Sequence, residues 1–384
     1  MNPLSPIFVF IVYGIAFFTA YLINLKYKIS NDNSRYENID SLRGLLGLGV
    51  FIHHSAVWHQ YLINGKWELP HSNLLVQLGQ TSVSLFFMIT AFLFVSKILN
   101  SNKKKINWKD LYISRFYRLV PMYIFSIIIL ILIVFIISEW QLKVSGFLII
   151  KQLIYWLTFT ILNGPDINGS IYTSLINAGV VWSLPYEWLF YFSLPLISII
   201  VIKEKPPKFY IIMSLVLVVS IASKKYVNPH HILSFIGGAI TPYLMKYSSP
   251  KIKYSSVLFS LVILMSLALI LFFRTSENII CKFLIIIVFN LIALGNNLFG
   301  ILKSSILKFL GEICYSTYLI HGIVFLFVII YFGFGFEKAK NLSTTEYSLT
   351  IFLITPLVVI LSFWGYKFIE KPFMNIAKKP KLND

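Results

Sequence analysis

Charge is scarce in this chain, and negative charge most of all. Only 12% of its 384 residues are charged, with 15 Asp and Glu against 33 Lys and Arg. A soluble domain carries about 25% charged residues, so a soluble globular fold is excluded. The 57% of hydrophobic residues and a mean hydropathy of +0.77 say the same. Cysteine is nearly absent. Cys281 and Cys314 fall in or beside apolar runs, which excludes a disulfide framework and a thiolate metal site. His53-His54 and His230-His231 are adjacent pairs, and neighbours on a helix diverge by about 100°, so neither pair suits a single metal ion. There is no P-loop, no G-x-S-x-G and no dinucleotide fingerprint. No internal repeat or low-complexity tract interrupts the chain.

What the chain has is apolar runs. They lie near 6–25, 39–59, 78–98, 114–137, 180–202, 208–223, 230–246, 255–273, 279–298, 311–332 and 347–369, with a shorter one at 147–163. Apolar stretches of about 20 residues are membrane-span candidates. The expected fold is all-α: a polytopic integral membrane bundle of about eleven transmembrane helices plus one re-entrant or surface segment. The first run has no basic stretch before it and no small-residue cleavage site after it, so it reads as a retained helix rather than a signal peptide. The net charge of +18 sits largely in short loops. It therefore concerns topology and anionic lipid, not nucleic acid.

The lysines orient the bundle. Loops bearing Lys26, Lys28 and Arg35, then Lys97, Lys103, Lys104, Lys105 and Lys109, then Lys203, Lys205 and Lys208 alternate with poorer ones. Lys246, Lys251 and Lys253, Lys303 and Lys308, and Lys367, Lys371, Lys378, Lys379 and Lys381 continue the series, with Lys224 and Lys225 as the main departure. The positive-inside rule puts the lysine-rich set in the cytoplasm, the N-terminus outside and the C-terminus inside. A full crossing by 147–163 would move Lys203 and Lys205 outside. That segment is therefore expected to enter and return, or to lie along the surface, leaving NGPDINGSIYTSLINAG as an outer loop.

Candidate chemistry begins in 39–59, which carries Asp40 and Arg43 at one end and His53 and His54 deep inside. Arg43 and His54 are eleven positions apart, about three turns and about 16 Å along a helix, so they share a face; His53 is rotated roughly 80° from it. Ionisable groups inside a membrane helix face a cavity or a partner. The helix reads as the wall of a site, although a snorkelling Arg43 and an interhelically bonded His54 fit the same pattern. Arg115 and Arg118, in SRFYRLVP, lie at i, i+3 on one face. With Arg43 they make a receptor for a phosphorylated ligand, since Arg gives bidentate bonds to phosphate; ordinary interfacial anchoring is the other reading. In VVWSLPYEWLFYF, Trp182, Ser183, Glu187 and Tyr191 fall in the outer part of a span, and Pro185 permits an opened turn. Glu187 needs a partner there, His54 or an arginine. GEICYSTYLIHG adds the polar tips of Tyr315, Ser316 and His321, with an interhelical bond the favoured reading of His321. Glu370 and Lys371 fall at the inner interface.

In order, these strings resemble acyltransferase family 3, membrane proteins that O-acylate cell-surface carbohydrates. IDSLRGLLGLGVFIHHS is similar to the family's opening Arg-to-His helix and SVSLFFMITAFLFVSKIL to its second helix. RFYRLVP resembles its R-x-x-R signature, VWSLPYEWLFYF its W-S-L-x-x-E-x-x-F-Y signature, and CYSTYLIH and FIEKP its closing patterns. The chain departs from the family in its extra first helix, in Trp188 and Leu189 where many members carry a polar pair, and in showing no hydrolase-like domain. The resemblance implies a ten-helix core, so that 1–38 is an extra helix and cytoplasmic linker, 39–373 the acyltransferase domain and 374–384 a basic tail. It implies an acyl-CoA donor, most simply acetyl-CoA, arriving from the cytoplasm as co-substrate with no permanently bound cofactor or metal. It also implies a carbohydrate acceptor on the outer side, a surface polysaccharide or a lipid-linked glycan, and a place in a bacterial cell membrane. Arg43 and His54 are then essential, and Arg115 and Arg118 form a donor-side pair. Neutral imidazole is a natural general base near pH 7, so His54 is expected to deprotonate the sugar hydroxyl. Glu187 would orient His54 or stabilise its charged form. Asp40, Trp182, Ser183, Tyr315, Ser316 and His321 would line the site. A transporter of lipid-linked glycans, or a polysaccharide polymerase or ligase, is the alternative of a different class.

Overall fold

A computed structural model describes residues 2–27, 36–101, 106–170, 173–203, 205–224, 227–248, 252–329 and 335–378, and among them there is no strand. Lys28, Arg35, Lys103, Lys104, Lys105, Lys225, Lys251, Lys379 and Lys381 of the loop series lie outside the described residues. The helices are α1 (Pro6–Tyr27), α2 (Glu37–Asn64), α3 (Asn73–Asn100), α4 (Trp108–Ile137), α5 (Gly146–Leu157), α6 (Leu184–Ile202) and α7 (Lys208–Lys224). They continue as α8 (Pro229–Tyr247), α9 (Val257–Ile270), α10 (Ile279–Ala293), α11 (Ser305–Leu326), α12 (Gly335–Lys340), α13 (Thr344–Gly365) and α14 (Lys371–Lys378). Six membrane-span candidates are both long and apolar enough: Pro6–Tyr27, Asn73–Asn100, Trp108–Ile137, Val180–Ile202, Ser305–Ile329 and Thr344–Ala377. α7, α9 and α10 are apolar but shorter. α5, the expected re-entrant or surface segment, has 12 residues. At 1.5 Å per residue it rises about 18 Å, short of a hydrocarbon core of about 30 Å.

The helices form two compact units, Met1–Ser96 with Asn228–Leu361, and Lys97–Val227 with Ser362–Asp384. The first unit is built on α2 and α11. A Cβ on Gly44 would stand 2.6 Å from the Leu307 carbonyl, one on Gly47 3.3 Å from the Cys314 Cβ, and one on Gly311 against the Asp40 carbonyl. Small residues let backbones approach this closely in membranes, where no hydrophobic drive presses helices together. Gly44 against Gly311, Gly47 against Cys314 and His54 against His321 share one offset of 267 residues. A constant offset means that α2 and α11 run parallel and in register. Their first turns are tied by an ion pair, Lys308 Nζ to Glu37 Oε2 at 3.0 Å.

α1 is fastened to this pair rather than appended to it. Its Tyr13 hydroxyl donates to the Leu45 carbonyl at 3.1 Å, and Phe8 stacks on Phe352 of α13. On another flank the fully buried Lys282 of α10 donates to Ser84 Oγ of α3 at 2.7 Å and to Ser234 Oγ of α8 at 3.2 Å. One ammonium thus ties three helices, its charge solvated by hydroxyls in place of water.

In the second unit α14 and the π-helical turn Tyr366–Glu370 pack on α4. Glu370 is buried there, 3% exposed. Asn168 organises the segment after α5. Its Oδ1 accepts from the Lys143 backbone N–H, its Nδ2 donates to the Gln141 carbonyl, and its own backbone N–H reaches Gln152 Oε1. The Gly- and Asn-rich stretch is therefore an internally bonded fold of chain, and Asn168 is fully buried within it.

Candidate functional site

In the first unit the site grows from α2. That helix contains both Arg43 and His54, so the spacing argument applies to one unbroken helix. From Leu46 to His59 every residue is buried except His54. His53 is taken up by packing: its Nδ1 bonds the Leu75 carbonyl at 2.8 Å, and its ring lies where a Cβ on Gly79 would stand. The two neighbouring histidines therefore have different environments, one partly exposed beside α11 and one packed against α3.

His54 Nδ1 is 3.0 Å from His321 Nε2, and the two rings stack with centroids 5.1 Å apart. His321 is fully buried, and its Nδ1 lies 2.8 Å from the Thr317 carbonyl, one turn back in α11. Within this unit the ring partner of His54 is His321. Above the pair, at the C-terminal end of α2, Trp67 lies nearly parallel to the His54 ring, at 6.4 Å and 17°. Trp58 and Tyr61 meet Trp67 edge-on at 5.4 and 5.9 Å. This aromatic rim escaped the sequence reading. Its only signal was the two tryptophans and a tyrosine crowded into the ten positions that close the helix.

About three turns back, Arg43 is within 3.7 Å of Asp40, and both side chains keep partial exposure, 15% and 29%. Tyr315 is partly exposed on α11, whereas Ser316 is fully buried.

The second unit holds the other predicted group. Arg115 and Arg118 lie on α4, both partly exposed. Arg115 hydrogen-bonds Tyr191 and stands in the field of Arg118 and Glu187. The Tyr191 hydroxyl donates to Glu187 Oε2 at 3.0 Å. Glu187 thus has an arginine and a tyrosine as neighbours, as a carboxylate inside a membrane requires. Tyr191 was legible as the i+4 neighbour of Glu187. Pro185 does not open a turn inside a helix. It sits at the start of α6, where a missing N–H costs nothing, directly after the 3-10 turn Val180–Ser183. The span expected over 180–202 stands as Val180–Ile202, with its α-helical part beginning at Leu184. Ser183 is buried and its hydroxyl donates to the Val180 carbonyl at 3.4 Å, while Trp182 is 38% exposed. Among the described residues no cluster of three or more His, Cys, Asp or Glu could hold a metal ion.

Comparison with known proteins agrees with these motifs. The family described as an acyltransferase domain, acyltransferase family 3, matches residues 36–367. Two proteins of Staphylococcus aureus, from strains COL and MSSA476, are each 25% identical over 373 residues and are named "Putative O-acetyltransferase". The alignment covers 87% of this chain and 56% of each relative, so the chain spans little more than half their length. No solved structure matches.

Proposed function

The chain belongs to acyltransferase family 3, and on that premise we propose that it moves an acyl group, most simply acetyl, from cytoplasmic acyl-CoA to a hydroxyl of a cell-surface or lipid-linked carbohydrate. The observation that carries this reading is His54: the one partly exposed residue between Leu46 and His59 of α2, hydrogen-bonded through Nδ1 to His321. In the proposed step His54 takes the proton of the acceptor hydroxyl. The oxygen attacks the thioester carbonyl, the C–S bond breaks, and the departing thiolate receives the proton from the imidazolium. The arginine pair of α4, Arg115 and Arg118, holds the donor's phosphates. Glu187, through Tyr191, keeps the Arg115 guanidinium aimed, a role for that carboxylate on the donor side.

The test is a comparison of the surface glycan by mass spectrometry with and without the gene, repeated with Arg115→Lys. Loss of one acyl mass without the gene supports the enzyme; an absent or unexported glycan supports a transporter. Lysine keeps the charge but not the planar fork. Arg115→Lys is therefore expected to raise the acyl-CoA concentration needed for half-maximal transfer, with protein abundance unchanged. Unchanged donor dependence would return Arg115 to membrane anchoring.

The topology that this function needs has eleven crossings, with α5 not among them. Its support is the parallel packing of α2 and α11. With α3, α4 and α6 to α10 each crossing once, seven helices intervene and α11 returns to the direction of α2; an eighth crossing by α5 would reverse it. Cysteines at Asn163, which is exposed, and at Lys205 report this directly. An impermeant thiol reagent applied to intact cells is expected to label the first and spare the second. Labelling of position 205 from outside would make α5 a full crossing. Asn168, buried and fully bonded, is unsuited as a reporter.

A further inference from the structure

The hydrogen bonds around His321 fix more than the position of His54. The Thr317 carbonyl, 2.8 Å from His321 Nδ1, can only accept. His321 Nδ1 therefore carries the proton, and in the neutral ring Nε2 carries a lone pair. That lone pair faces His54 Nδ1 at 3.0 Å. A second lone pair at this distance would be repulsive, so His54 Nδ1 carries the proton and His54 Nε2 does not.

We propose that His321 is a positioning residue that holds His54 in its Nδ1–H form, so that Nε2 is the nitrogen that receives the hydroxyl proton. Donation runs one way along the chain of bonds, from His54 Nδ1–H to His321 Nε2 and from His321 Nδ1–H to the Thr317 carbonyl. When Nε2 takes the proton, His54 becomes an imidazolium that still donates through Nδ1 to His321, and that bond becomes charge-assisted and stronger. His321 touches no substrate. It is buried on every side, with Phe51 and Tyr318 edge-on to its ring, and acts only through His54. The constant offset between α2 and α11 delivers the two rings to one level, so the relay is a product of helix register.

This inference rests on the reading of His54 as the general base, and two variants separate the two ideas. The Gln side chain in His321→Gln can place its carbonyl oxygen near the position of Nε2 and accept from His54 Nδ1–H. His321→Phe keeps the ring volume and offers no acceptor. In purified protein, His321→Phe is expected to lose about 10²-fold or more of kcat, a general base's contribution being about 10²–10⁴-fold, with the KM for acyl-CoA unchanged. His321→Gln is expected to recover much of that loss. ¹⁵N NMR of histidine-labelled protein supplies the second readout, with the His54 signals assigned by their loss in His54→Ala. They should show a protonated Nδ1 in wild type and in His321→Gln, and a shift toward the Nε2–H form in His321→Phe. If His54→Ala is inactive while His321→Phe keeps wild-type kcat or an unchanged His54 spectrum, the positioning role is overturned and the base stands. A folded His321→Gln as inactive as His321→Phe also overturns it. If His54→Ala is itself active, the base reading fails, whatever His321 does.

Discussion

His54→Ala is expected to cut acyl transfer by about 10²–10⁴-fold, the usual contribution of a general base, with acyl-CoA affinity retained. His53→Ala is expected to keep most of kcat and to lose stability instead. The two residues are neighbours on one helix and cost the bilayer similar amounts to accommodate, so the difference lies in what each ring meets. His53 bonds the Leu75 carbonyl and fills the space left by Gly79. Removing it loses one hydrogen bond to a carbonyl of α3, at about 0.5–1.5 kcal/mol, and opens a void against α3. His54 alone between Leu46 and His59 is open, and its bonded nitrogen is turned toward α11. Transfer rate, donor affinity and melting temperature of the two purified variants decide the matter. An inactive His53→Ala beside an active His54→Ala would mean that the reacting face of α2 is the one toward α3, and the site would have to be rebuilt there.

How much of this was legible in the sequence follows from the range over which each feature is encoded. The face shared by Arg43 and His54 depends only on 3.6-residue periodicity within one helix, and α2 covers both positions without a break. The arginine pair of α4 and the i, i+4 step from Glu187 to Tyr191 are equally local. The brevity of α5 was legible through charge, since a full crossing would have placed Lys203 and Lys205 on the wrong side. His321 as partner of His54 was not, because 267 residues separate them and only the packing of two parallel helices joins them. Lys282 lay in plain view as a charge in an apolar run, but its serine partners come from two distant helices. The span expected over 180–202 is matched by the candidate Val180–Ile202; what composition did not show is that its first four residues adopt a 3-10 turn, which puts Pro185 at the head of α6.

The seam that sets the register of the histidines gives the other large expected effect. A Cβ at Gly311 would meet the Asp40 backbone carbonyl of α2, one at Gly47 would stand 3.3 Å from the Cys314 Cβ, and one at Gly14 of α1 would meet nothing within 4 Å. A backbone carbonyl cannot rotate away as a side chain can, so Gly311→Ala forces the helices apart. Overpacking of this kind costs about 1–3 kcal/mol, and in a membrane no hydrophobic drive restores the contact. Ten residues further along each helix, the same separation stretches the 3.0 Å bond between His54 and His321. Gly311→Ala is therefore expected to lower the melting temperature in detergent and to reduce transfer even well below that temperature. Gly47→Ala should fall between it and wild type. Gly14→Ala should be neutral or slightly stabilising, because alanine is favoured over glycine in a helix by about 1 kcal/mol where nothing obstructs it. The order of the three melting temperatures is the measurement. Should Gly311→Ala melt with Gly14→Ala and keep wild-type transfer, α2 and α11 are not in backbone contact, and the register that pairs the two histidines has no structural basis.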